Sequence, residues 1–253
     1  MRHARAAIAF CLVALFVRPA PAAEFKGEDD VKYQACLRLA ARQPDEAFES
    51  ALQWRERGGG SPARHCAAMA LIQLKHYADA ADRLEQLAGD LRKSNPDLVP
   101  EVLSQAGNAW LLAGFAERAD AVLTSALALR PSDADLYIDR ARVRAARESF
   151  REALGDLDAA LLIEPDRTEA LAFRASAYRA LGEAKAAFAD AERALALNPD
   201  QLEALLERGH LRRASGDIKG ARADWVRVLE LAAGTPAGDA AALNIQKMDL
   251  KAE

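Results

Sequence analysis

The sequence predicts an all-α solenoid, and three observations carry the prediction. From Ala134 to Thr235 one 34-residue pattern is written three times without a gap. Arg140-Ala141, Arg174-Ala175 and Arg208-Gly209 fall in register, as do Ala153, Ala187 and Ala221, then Ala160, Ala194 and Val228. A fixed period of this length marks stacked helical units. Second, 51% of the 253 residues are hydrophobic but only 6% are aromatic, which suits closely packed helices better than a large enclosed pocket. Third, Pro165 and Pro199 close the first two copies at the same place, where a proline cannot continue a helix.

The chain divides in order. Met1 to Arg5 is basic, Ala6 to Val17 is apolar, and Ala20-Pro21-Ala22 supplies a small-x-small cleavage pattern. The apolar run is shorter than the about 20 residues that cross a bilayer, so residues 1–22 read as a signal peptide and the mature chain as periplasmic. An uncleaved anchor is the competing reading. Ile8-Ala9-Phe10 before Cys11 does not resemble a lipoprotein cleavage box. No later segment is expected to span a membrane. Residues 23–29 are a flexible lead-in. Two divergent helix pairs fill 30–99. The first breaks at Gln43-Pro44, with Pro44 as a first helical residue, and the second breaks at Lys75-His76-Tyr77. Four regular units follow at 100–133, 134–167, 168–201 and 202–235. In 236–253, Ala241, Ile245, Met248 and Ala252 form one stripe, which reads as a helix capping the apolar end of the stack.

The formal net charge is -4, and the arginines are interleaved with Asp and Glu, which argues against nucleic acid as a partner. The three histidines beyond the signal segment, His65, His76 and His210, have no ligand spacing. No Gly-rich phosphate loop follows a strand, and no serine sits in a nucleophile elbow. No catalytic residue, metal or cofactor is expected.

Landmarks such as Leu103, Gly107, Trp110, Gly114, Ala119, Ala126 and Pro131 occupy successive places of the unit, and on them the chain resembles the tetratricopeptide repeats. Four units match well. The unit at 61–94 matches through Ala68, Tyr77 and Ala80, and the first rests on Ala35 and Ala47. The resemblance implies a right-handed superhelix of antiparallel pairs, helix A and helix B. Gly107, Ala141, Ala175 and Gly209 stand at the small place of helix A, where the two helices cross, and Ala119, Ala153, Ala187 and Ala221 at that of helix B. The family binds many unrelated partners, so the fold alone names none.

Three sets of residues are candidates for structural or binding roles. Arg140, Arg174 and Arg208 each precede an aspartate, Asp156, Asp190 and Asp224, by 16 residues, and in the unit at 100–133 both places lose their charge together, as Ala106 and Val122. That co-loss points to internal ion pairs between helices A and B; the alternative is an arginine row gripping an anion. Cys36 and Cys66 make an even count in an exported chain, which favours a disulfide. In the family their places converge on neighbouring A helices, in keeping with a structural bond. Two buried thiols and a redox-active pair stay open. Finally, the resemblance implies a concave face on helix A, lined here by Ser104, Asn108, Leu111, Leu112, Ile138, Arg142, Ser176, Arg179, Leu206, His210 and Arg213. Glu101, Asp135, Glu169 and Glu203 stand along one rim. The family's carboxylate clamp is incomplete. Asn108 fits it, but Ser104 replaces its lysine and Asp139 its second asparagine.

The expected function is a non-catalytic periplasmic scaffold that binds another protein or a peptide segment in this groove, in envelope assembly or maintenance, as a monomer or weak oligomer. A redox-responsive protein using Cys36 and Cys66, or an accessory subunit of an envelope enzyme, is the alternative.

Overall fold

The computed structural model describes residues 30–250, and among them it contains helices and turns but no strand. The expected signal peptide at 1–22, the lead-in at 23–29 and residues 251–253 lie outside the described residues. In order the helices are α1 (Asp30–Arg42), α2 (Pro44–Glu56), α3 (Gly60–Gln73), α4 (Tyr77–Ser94), α5 (Val99–Leu112), α6 (Ala116–Leu129), α7 (Ala134–Ala146), α8 (Phe150–Ile163), α9 (Thr168–Ala180), α10 (Ala184–Leu197), α11 (Leu202–Ser215), α12 (Ile218–Ala232) and α13 (Pro236–Asp249). A 3-10 turn, Pro96–Leu98, fills the spacer before α5. Contacts divide the described residues into two compact units, 30–147 with α1 to α7 and 148–250 with α8 to α13.

Small residues set the spacing within each pair. The twentieth place of the repeat, Ala80, Ala119, Ala153, Ala187 and Ala221, is fully buried in every copy. At the eighth place, a Cβ added to Gly107 would lie 2.6 Å from Leu123 Cγ, and one added to Gly209 would lie 2.3 Å from Trp225 Nε1. The axes of A and B thus approach more closely than a side chain at the crossing would permit.

The turn from A to B is built on one left-handed residue at the fifteenth place: Gly114, Gly182 and Gly216 with φ of 84°, 81° and 91°, but Lys75 and Glu148 with φ of 63° and 59°. That conformation costs a residue with a Cβ about 1–2 kcal/mol, so the turns at Lys75 and Glu148 carry a cost that the three glycine turns avoid. Several helix starts are capped by side chains. Asp133 accepts from the Asp135 and Leu136 amides, Asp217 from Gly220, and Thr235 from Gly238, relieving orphan N–H groups at each end.

The first pair departs from the expected register. Ala35 is exposed, and the residue that packs with Ala47 and Ala70 is Ala40, 2% exposed. The cause is the connection. Only Gln43 separates α1 from α2, whereas Leu74 to His76 separate α3 from α4, so the crossing point shifts towards the C-terminus of α1.

The last helix is more than a cap in placement. Its start follows that of α11 by 34 residues, and it packs on α11 and α12, so α13 stands in the A-helix place of a further repeat. Ala241 and Met248 of the expected stripe are buried and Ile245 is half-buried. Its eighth place holds Leu243, 40% exposed, where the regular units hold Gly or Ala. A B helix could not cross there at the same distance.

Candidate interaction surface

The repeated arginines are struts. In the unit 148–250, Arg174 Nε and Nη2 donate to the two carboxylate oxygens of Asp190 at 2.7 and 2.8 Å, and its Nη1 donates to Asp158 at 2.7 Å. Arg208 repeats this with Asp224 at 3.1 and 2.7 Å and with Glu192 at 2.8 Å. Each guanidinium therefore ties its own B helix to the preceding one. Hydrogen bonds to Asp190 hold Arg174 above the ordinary arginine pKa. Burial works against the charge on Arg208, but its bonds to Asp224 and Glu192 more than offset it. Asp224 takes a further bond from Arg212 at 2.9 Å.

The second carboxylate lies outside the expected pairs, although it stands 16 residues before both Arg174 and Arg208 and is legible at that spacing. In the unit 30–147, Arg140 donates to Thr124 at this same place, at 3.1 Å. Asp156 is buried at 3% exposure in the other unit.

Cys36 of α1 and Cys66 of α3 form a disulfide with their Cα atoms 6.2 Å apart. Both are buried, at 8% and 0%, which leaves little access for an attacking thiolate. Beside the bond runs a chain of buried polar groups. The Gln105 amide donates to Glu101 Oε1 at 3.4 Å, so its oxygen faces His65 Nε2, 2.5 Å away. His65 accordingly carries its proton on Nε2, and Nδ1 accepts from the Tyr33 hydroxyl at 2.8 Å. Burial pushes the imidazole pKa down to about 4, so His65 is neutral, in keeping with its part in this chain.

The expected groove is largely occupied by internal contacts. Leu111, Ile138, Ser176 and Leu206 are buried, so their side chains sit in the packing rather than on a free face. Ser104 and Asn108 both donate to Asp139 Oδ2, at 2.6 and 2.9 Å, and Arg142 bonds both Asp139 and Asn108 at 3.3 Å. The residues that spoil the clamp pattern thus satisfy one another between α5 and α7. Burial raises the Asp139 pKa, against the pull of Arg142. Glu101 is pushed up to about 7, by partial burial first and then by the charge of Asp139. The expected acidic rim is not continuous. Asp135 is exposed, Glu101 and Glu169 are half-buried, and Glu203 is buried.

In the unit 148–250, Arg179 is engaged by a residue that the repeat pattern does not single out. Glu207, with no exposed surface, accepts from Arg179 at 2.5 and 3.2 Å. Burial disfavours that guanidinium's charge, and Glu207 more than restores it. His210 packs edge-on against Trp225, with centroids 5.5 Å apart, and Asn244 of α13 lies 3.4 Å from its Nε2. Burial lowers its pKa, and Arg179, Arg213 and Lys247 add to that effect.

Asn108, Leu112, Arg142, Arg179, His210 and Arg213 of the expected set are half-buried, and of these Asn108, Arg142 and Arg179 are engaged in the contacts above. Leu112 lines an open pocket of about 380 Å³ with Lys75, His76 and Tyr77. Among the described residues no group of His, Cys, Asp and Glu could hold a metal ion, and no helix is long and apolar enough to cross a membrane.

No protein-family profile matches the chain, and no curated protein matches it. Solved structures do. TTC0263, a thermophilic repeat protein of Thermus thermophilus, superposes with a TM-score of 0.58 at 24% identity, over 69% of this chain and 93% of that one. MamA from Desulfovibrio magneticus RS-1 superposes with a TM-score of 0.55 at 22% identity, over 68% and 94%. The register of the 34-residue units and these superpositions together show that the chain has the tetratricopeptide-repeat fold.

Proposed function

We propose that the protein is an exported, non-catalytic scaffold that holds a segment of another protein along the face of its A helices, in envelope assembly or maintenance. The observation that carries this reading is the strut system. Arg174, Arg208 and Arg179 use charge-assisted bonds to Asp158, Glu192 and Glu207 to fix one helix pair against the next, and a surface so fixed loses little entropy when a partner docks. The small-x-small pattern at Ala20-Pro21-Ala22 and the Cys36–Cys66 bond support an oxidising compartment. Burial of both sulfurs favours a structural bond over a redox-responsive one.

The test is affinity purification from envelope extracts, with the mature chain as bait and a chain carrying Arg213→Glu and Lys247→Glu alongside. Arg142 and Arg179 are unsuitable for charge reversal because they support the fold. A partner enriched by the wild-type bait is the expected result. Failure of every bait to enrich any envelope protein over a blank matrix would refute the scaffold reading.

A further inference from the structure

Position by position, α9, α11 and α13 place a row of cations on one side of the unit 148–250. Arg179, Arg213 and Lys247 are spaced by 34 residues and occupy the twelfth place of three successive A helices. Ser176, His210 and Asn244 occupy the ninth. The A-helix placement of α13 thus adds a third rung, Lys247 and Asn244, to this row.

The charge on this surface is unbalanced. Arg179 is neutralised by buried Glu207. Among the described residues Arg213 and Lys247 have no ion-pair partner; Arg213 is half-buried and Lys247 exposed. All three cations lie close enough to His210 to press on its protonation, with Glu207 the opposing charge. One further hydrogen-bonding group stands on the row. Asn244 donates to His210 Nε2, which leaves the imidazole proton on Nδ1; the Ser176 hydroxyl is enclosed in the packing and takes no part. At the seventh place Arg174 and Arg208 bind carboxylates of this chain, and at the twelfth Arg179 binds Glu207, a partner that Arg213 lacks. A part-buried arginine beside a lysine with no such carboxylate is complementary to one supplied from outside.

We infer that the face of α9, α11 and α13 receives an acidic segment of a partner protein, whose carboxylates meet Arg213 and Lys247 while His210 donates to a further acceptor. This assignment rests on the scaffold reading and names the chemistry of its ligand. The segment carries internal Asp or Glu side chains and needs no free carboxyl terminus. The weak net charge of the chain, -4, gives no long-range attraction for anions, so capture depends on these local cations and falls as salt screens them.

The test is fluorescence anisotropy with the mature chain and three labelled probes: a short Glu/Leu peptide, its Gln/Leu counterpart, and a single-stranded oligonucleotide of equal charge. Each probe is measured against wild type, R213E/K247E, and a control K185E/K219E altered on exposed residues of α10 and α12, with melting curves confirming that both variants fold. The Glu peptide should bind wild type and the control alike, weaken by about tenfold or more in R213E/K247E, and weaken with added salt. The Gln peptide should bind no better than it does to R213E/K247E. Equal affinity for Glu and Gln peptides, undiminished binding by R213E/K247E, or no binding of the Glu peptide at all would overturn the assignment. So would tighter binding of the oligonucleotide through the same pair, which would make the ligand a nucleic acid. In the envelope experiment, a partner retained equally by R213E/K247E overturns this assignment and leaves the scaffold reading standing.

Discussion

Glu101 makes the N-terminal unit sensitive to pH in a direction opposite to that of an ordinary salt-bridged carboxylate. Its folded-state pKa is raised from 4.5 to about 7, by burial first and then by the charge of Asp139. The unfolded chain therefore releases this proton near 4.5 while the folded chain keeps it to about 7. The group's contribution is fully present below pH 4.5 and is lost as pH rises through 7. At 1.36 kcal/mol per pKa unit the shift corresponds to about 3 kcal/mol, and solvent screening of a half-buried side chain reduces that to about 2 kcal/mol. Glu101→Gln removes the titration while keeping an acceptor for the Gln105 amide. Unfolding by denaturant at pH 5, 6, 7 and 8, compared for wild type and variant, isolates the effect, because His65 and Asp139 titrate in both proteins. The variant's advantage should grow by about 2 kcal/mol from pH 5 to pH 8. Two parallel profiles would refute the reasoning, since Glu101 would then be ionised in the fold at no cost.

Three further outcomes follow from the packing. Asp224→Ala removes a buried carboxylate from Arg208 and Arg212 and should destabilise the chain by about 3–5 kcal/mol, read from denaturant midpoints, without changing binding of the acidic peptide. Gly209→Ala drives a methyl into the Trp225 indole; it should cost about 1–3 kcal/mol and alter the near-ultraviolet dichroism. Cys36→Ser should cost about 3–4 kcal/mol by releasing a 30-residue span, and the native unreduced chain without residues 1–22, and so without Cys11, should show no free thiol.

The sequence was most informative where one residue type recurs at one spacing. Alanine at the twentieth place can be read because every copy repeats it, and the Arg–Asp interval of 16 because three copies carry it and the fourth loses both residues together; Cys36 and Cys66 were legible from the even count and from the places the family register gives them. Legibility failed where a contact is made once. The sixth place of helix A holds Gln105, Asp139, Phe173 and Glu207 in successive units, four different side chains, so periodicity could not single out Glu207. The network of Ser104, Asn108, Asp139 and Arg142 looked like a spoiled ligand clamp because family places say where a side chain stands and not what it touches. Ala40 was missed for a geometric reason, since a one-residue connection changes which turn of α1 meets α2.

The A-helix placement of α13 bears on how such an array could be lengthened. Leu243 stands where Gly107 and Gly209 permit a close crossing, and its bulk would hold a following helix farther away. Shortening that side chain and grafting one B helix after α13 would complete a seventh hairpin in phase with the others. Repeat number is thus an adjustable dimension of this protein, and the reach of its cation row would be adjusted with it.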